Sequence, residues 1–138
     1  MKGMRFAFAV ALALVALGVA GCGGGDEEAT PTDTGETTTT PAVGSTLQGS
    51  VGPGFVISVT TDTGETLGTL APGSYELEVE DLASIHNFHL TGPGGVDVST
   101  SVGEESTESF QLELEAGTYS FVCDPHAGSM NGSFEVSG

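Results

Sequence analysis

An all-β, Greek-key sandwich is the fold class this sequence predicts. Three observations predict it: short runs of apolar–polar alternation, glycine and proline turns between them, and no helical period after residue 45. In the first run Phe55, Ile57 and Val59 alternate with Val56, Ser58 and Thr60, and "DTG" at Asp62–Gly64 then turns the chain. In the second, Tyr75, Leu77 and Val79 alternate with Glu76, Glu78 and Glu80, apolar inside and acid outside. Glu80–Ser84 has room for a single helical turn, and "GPGG" at Gly92–Gly95 is a turn with no phosphate-loop context after it. Phe110, Leu112 and Leu114 repeat the alternation against Gln111, Glu113 and Glu115, and Phe134 with Val136 marks the last strand. Two segments echo each other, "LAPGSYELEV" from Leu70 and "LEAGTYSFVC" from Leu114. Their flanks do not match, so the shared element is structural: a glycine turn feeding a strand, with a tyrosine packed at the corner.

Composition divides the chain into three parts: a targeting segment over 1–21, Cys22 with an acidic tether over 22–44, and the sandwich domain over 45–138. A lipobox likeness at Val19–Cys22 makes the expectation for 1–21 a lipoprotein signal peptide and for Cys22 a lipidated residue. Lys2 and Arg5 precede a nearly unbroken apolar run, Phe6–Val19. That run fits a secretory segment and falls short of the ~20 residues that span a membrane. It ends in "VAGC", Val19–Cys22, which resembles the bacterial lipobox, whose cysteine is lipidated and becomes the mature N-terminus. Two or more acyl chains, at about 0.8 kcal/mol per buried CH₂, hold such a protein stably on the membrane. The expected location is therefore extracytoplasmic, on the outer face of the cell membrane or the periplasmic side. Gly23–Gly44, rich in Gly, Thr, Pro and acids, has almost nothing to build a core with. As a coil it averages roughly 25 Å end to end, and it reaches roughly 70 Å when stretched.

The formal charge is −17, and Lys2 and Arg5 are the only basic residues. Without that N-terminal end, 19 acids face no Lys or Arg at all. Such a surface excludes nucleic acid as a partner, since binding it requires cations that displace counterions. It repels copies of itself, which favours a monomer, and it attracts basic partners. A saline habitat accounts for the same acidity.

Cysteine usage carries the next inference. Lipid would consume Cys22, leaving Cys123 unpaired in an oxidising compartment, where a bound metal would explain it. Tyr119, Phe121 and Cys123 share one strand face, so Cys123 points inward at the end of its strand. His126 and Met130 follow on the loop "CDPHAGSM", in a chain with only three histidines and three methionines. Thiolate, imidazole and thioether together suit a soft or borderline metal better than calcium or magnesium. A further ligand must come from another strand, and "SIHNFHL", Ser84–Leu90, offers two histidines. His86 shares the inward face with Phe88 and Leu90, whereas His89 points to solvent.

An inward histidine followed by asparagine, then Cys-x-x-His and a methionine before a glycine-containing final strand, resembles the cupredoxins. The likeness is to small type 1 (blue) copper proteins of the plastocyanin, pseudoazurin and halocyanin type, and "YSFVCDPHAGSMNGSFEV" carries most of it. The resemblance implies one copper ion, cycling between Cu(I) and Cu(II), in a plane of His86, Cys123 and His126 with Met130 as axial ligand. It implies that Asn87 sits just outside the ligands and steadies the two ligand strands. The His126-to-Met130 spacing is intermediate between plastocyanin-like and amicyanin-like loops.

The function this implies is electron transfer, not enzymatic catalysis. Four protein ligands leave no open position for substrate, and one domain cysteine and three histidines cannot build binuclear or multicopper centres. The expected partners are redox proteins, with a basic cytochrome or membrane oxidoreductase favoured by the acidity, and the membrane through lipid on Cys22. The alternative is an extracytoplasmic copper carrier or storage lipoprotein with no electron-transfer role, because the same ligands suit Cu(I).

Overall fold

The structure is a computed structural model, and it describes residues 38–138. The signal segment 1–21, Cys22 and the tether as far as residue 37 lie outside the described residues. The strands are β1 (Thr38–Thr39), β2 (Thr46–Val51), β3 (Ile57–Thr61), β4 (Thr66–Leu67) and β5 (Gly73–Asp81), then β6 (His89–Gly92), β7 (Val96–Ser99), β8 (Ser106–Leu114), β9 (Gly117–Val122) and β10 (Asn131–Val136). Two single 3₁₀ turns, Pro93–Gly95 and Asp124–His126, are the only helical segments among the described residues. One sheet runs β1-β4-β3-β2-β5-β8 and the other β10-β9-β6-β7. The predicted all-β sandwich is the observed fold.

The alternation seen in sequence forms the core. Tyr75, Leu77 and Val79 of β5 and Leu112 and Leu114 of β8 are buried, facing Phe88, Leu90, Tyr119, Phe121, Phe134 and Val136. Phe88 stacks on Phe121 with centroids 5.9 Å apart, and Tyr119 on Phe134 at 5.3 Å. The echoed segments build the same device twice. Tyr75 donates its hydroxyl to the carbonyl of Ala71, four residues back, at 3.0 Å. Tyr119 accepts from the Glu115 N–H, also four residues back, at 2.9 Å. Each tyrosine thus satisfies backbone groups at a corner that would otherwise bury them unpaired.

Three details differ from the sequence expectation. The alternation read from Phe55 begins two residues early: β3 starts at Ile57, and Phe55 and Val56 are exposed in the preceding loop. Gly52, Pro53 and Gly54 hold that loop out of the ladder. No helical turn forms at Glu80–Ser84, because β5 continues through Asp81 and the chain turns only at Ser84–Ile85. Finally, Thr38 and Thr39, which composition alone assigns to the tether, join the sheet. Thr38 and Thr39 pair in parallel with Thr66 and Leu67, and the Gly44 N–H donates to the Ser74 carbonyl at 2.8 Å. Threonine suits a strand, and β4 otherwise presents a free edge.

Register fixes where the loops converge. Val51 at the end of β2 lies beside Asp81 at the end of β5 and opposite Ile57 at the start of β3. His89 at the start of β6 lies opposite Val122 at the end of β9. Loops 52–56 and 82–88 therefore meet at one end of the sandwich, where the loop following β9 also emerges.

Candidate metal centre

Cys123 directly follows β9 and keeps its alternation, so its side chain turns into the core; it is 0% exposed. Its N–H donates to the Met130 carbonyl at 3.0 Å, which closes the loop between them. Inside the loop, the 3₁₀ turn at Asp124–His126 starts on Pro125-favoured geometry, and the His126 N–H donates to the Cys123 carbonyl at 2.9 Å. This coil brings the His126 imidazole back over the sulfur. Its Nδ1 lies 3.5 Å from Cys123 Sγ. Met130 is also buried, its N–H bonded to the His126 carbonyl at 2.9 Å.

His86 comes from the other side, on the segment between β5 and β6. As its alternation with Phe88 and Leu90 requires, it points inward and is 0% exposed. That segment is pinned at both ends by a buried polar pair. Asp81 Oδ1 accepts from the Ala83 N–H at 3.3 Å, while Asp81 Oδ2 accepts from the Thr100 hydroxyl at 2.8 Å. The Thr100 hydroxyl in turn accepts from the Phe88 N–H at 2.8 Å. A carboxylate buried to this degree is costly without partners, and these partners hold the backbone on either side of His86.

The resulting geometry is a triangle of donor atoms. His86 Nδ1 lies 3.1 Å from His126 Nδ1 and 3.6 Å from Cys123 Sγ. A point equidistant from all three lies about 2.0 Å from each, the reach of a metal–nitrogen bond and slightly short of a metal–sulfur one. These are the residues among those described whose ligand atoms cluster, all within 4.8 Å of one another. The far nitrogen of His86, Nε2, is buried with no hydrogen-bond partner. Burying an imidazole nitrogen unpaired costs free energy, which the fold tolerates in order to aim Nδ1 at the sulfur. Two nitrogens and a thiol in this arrangement fit copper well.

Around the triangle sits a clasp that sequence reading identified only in part. Asn87 joins the His86 segment to the Cys123 loop. It accepts from the Asp124 N–H at 2.8 Å and donates Nδ2 to Asp124 Oδ2 at 2.8 Å. His89 faces away from the centre, as expected, yet it is not simply in solvent. Its Nδ1 meets Asp124 Oδ1 and its Nε2 meets Asp97 Oδ1, each at 3.0 Å. The bond to Asp124 raises the His89 pKa above its ordinary value, with Asp97 adding to the effect and partial burial opposing it. Asp124 is held below the usual carboxylate range by the same bond and by the one from Asn87.

Phe55, Asp81, Thr100 and Asp97 were not legible as site residues. Asp81 closes an apolar-in pattern in the wrong polarity, an acid at an inward position, and that anomaly is the one signal available. Phe55 carries no such signal beyond an aromatic residue in a Gly-Pro-Gly loop.

Comparison with known proteins agrees with this geometry. Residues 79–137 match the family of copper binding proteins described as plastocyanin/azurin. Rusticyanin from Thiobacillus ferrooxidans superposes with a TM-score of 0.50 at 22% identity, over 72% of this chain and 82% of its own. Dithionite-reduced auracyanin from Roseiflexus castenholzii gives 0.51 at 15% identity, over 70% of this chain and 100% of its own. At these identities the structures share the fold. No curated protein sequence matches the chain. The copper-family match covers the segment that carries His86, Asn87, Cys123, His126 and Met130, and the fold is one that rusticyanin and auracyanin share.

Proposed function

We propose that this protein is a type 1 copper electron carrier, with one ion held by His86, Cys123 and His126 and weakly by Met130. The observation that carries the reading is the converging triangle of Nδ1, Nδ1 and Sγ, held by backbone bonds on both ligand segments. Copper in that position supplies a one-electron couple. The protein's part is to keep the donors where they are in both oxidation states, which lowers the reorganisation each transfer requires. Cys123 and His86 are fully buried and His126 is half-buried, so His126 is the ligand through which an electron leaves or enters. The four donors leave no position for a substrate, which supports a carrier over an enzyme.

The described residues hold no lysine or arginine, which favours a basic redox partner such as a cytochrome or a membrane oxidoreductase. Lipid on Cys22 would tether the domain, as a monomer, to the outer face of the membrane, where a partner is met repeatedly within the tether's reach. The test is to load the full chain with one equivalent of Cu(II) and follow visible absorption and paramagnetic resonance through repeated reduction and reoxidation. An intense colour with narrow hyperfine splitting that bleaches and returns without copper loss is the expected result. A colourless protein that binds Cu(I) tightly and hands it rapidly to an acceptor would contradict electron transfer.

A further inference from the structure

We propose that Phe55 is a cap over the centre, closing the Cys123 sulfur and the two imidazoles to small ligands so that only electrons pass. The proposal rests on the copper reading above for its purpose, though not for its geometry. Phe55 is 63% exposed and lies outside the core, so its ring contacts are with the loops at this end of the sandwich. It stands in the loop between β2 and β3, which the Gly52 N–H closes by donating to the Val56 carbonyl at 3.0 Å. Gly52 has a left-handed φ of 83°, and a Cβ there would lie 3.1 Å from the Ala83 Cβ and 3.4 Å from His86 Cδ2. The loop is therefore laid directly against the His86 segment.

From that position the ring reaches both imidazoles. Its centroid is 5.5 Å from that of His86 at an interplanar angle of 73°, and 5.0 Å from that of His126 at 89°. The imidazoles themselves meet at 4.9 Å and 73°, so the three rings form a mutual edge-to-face cluster. Cys123 Sγ lies against the Nδ1 atoms of the same two imidazoles, at 3.5 and 3.6 Å. Val56, next in the chain and about as exposed, has no ring to offer such a cluster.

Two edge-to-face contacts are enough to suppress opening of the site by about tenfold or more. The experiment uses the metal-free full chain carrying Cys22→Ser, so that a chromogenic thiol reagent reads Cys123 alone. Phe55→Ala is expected to be modified about tenfold faster than its parent or more, with Phe55→Tyr and Val56→Ala within about twofold of the parent rate. Because the ring is largely exposed, its removal leaves the fold intact. An unchanged rate in Phe55→Ala, or an equal acceleration in Val56→Ala, overturns the cap. In the Cu(II)-loaded protein, azide is expected to alter the paramagnetic spectrum of Phe55→Ala and leave the parent's unchanged; azide without effect on either overturns ligand exclusion. The thiol rates are read without metal, so a failure of the copper reading would appear separately, as a parent that takes up no copper.

Discussion

Replacing Asn87 with alanine removes the one side chain that bonds the His86 segment to the Cys123 loop through both of its polar atoms. Asn87 is buried, and it both accepts from the Asp124 N–H and donates to the Asp124 carboxylate at 2.8 Å. A neutral hydrogen bond contributes about 1 kcal/mol net, and one to a charged group about 1.5–3 kcal/mol. The Asp124 side chain is 53% exposed, so water replaces part of the second bond and the lower end applies to it. The part-buried Asp124 N–H is left without its acceptor. The sum is roughly 2–4 kcal/mol, a large share of the ~5–15 kcal/mol that stabilises a domain. For a domain of this size that lowers the melting temperature by roughly 10–20 °C. The assay is urea unfolding of the metal-free protein by far-ultraviolet circular dichroism, since the chain has no tryptophan. The expected result is a lower midpoint with unchanged slope. A loss below about 0.5 kcal/mol would refute the claim that this clasp holds the two ligand segments together.

Thr100→Val leaves the Phe88 N–H and the Asp81 carboxylate without the hydroxyl that joins them, and is expected to cost roughly 2–4 kcal/mol by the same assay, with Thr100→Ser recovering most of it. A wild-type midpoint for Thr100→Val would contradict that role. Gly92→Ala would place a Cβ 2.2 Å from Tyr119 Cδ1, against a buried ring whose hydroxyl is fixed by the Glu115 N–H. A loss of about 2 kcal/mol or more is expected in thermal melts, whereas Gly54→Ala, with nothing within 4 Å, should melt as wild type. Asp97→Asn removes one of the two carboxylates that raise the His89 pKa above 6.5, so nuclear magnetic resonance titration should show that pKa falling in the variant. A raised histidine pKa stabilises the fold fully below 6.5, and the contribution fades as pH climbs through the raised value. The stability gap between wild type and Asp97→Asn should therefore be widest below pH 6.5 and close as pH rises; a gap that widens with pH would reverse the sign.

Period-two alternation made most of this architecture readable, because a sandwich core buries one face of each strand. It placed Tyr75, Leu77 and Val79 inside, carried Cys123 inward one residue beyond β9, and separated His86 from His89 although His86 precedes its strand. What alternation does not encode is contact between loops. An apolar residue two before Ile57 fits the strand period, so alternation extends β3 back to Phe55; only the three-dimensional closure of the Gly52–Val56 loop sets its ring against the imidazoles. Alternation gives the face of His89 but not its neighbours, and so predicts solvent there. Asp97 lies on β7 and Asp124 beyond β9, and both reach it only through the pairing of β6 with each strand. The edge strand β1 was hidden for a different reason: a threonine-rich run of low hydrophobicity resembles a tether until a free sheet edge accepts it.

The central claim is that two histidine nitrogens and one cysteine sulfur stand ready for copper and stay in place when its charge changes. X-ray absorption at the copper edge, on the loaded full chain in both oxidation states, tests it most directly. Two short nitrogen scatterers and one short sulfur are expected in each state, shifting by no more than about 0.1 Å between them, with the sulfur lost in Cys123→Ser. A first shell without sulfur, or one that changes its ligand number on reduction, would contradict it.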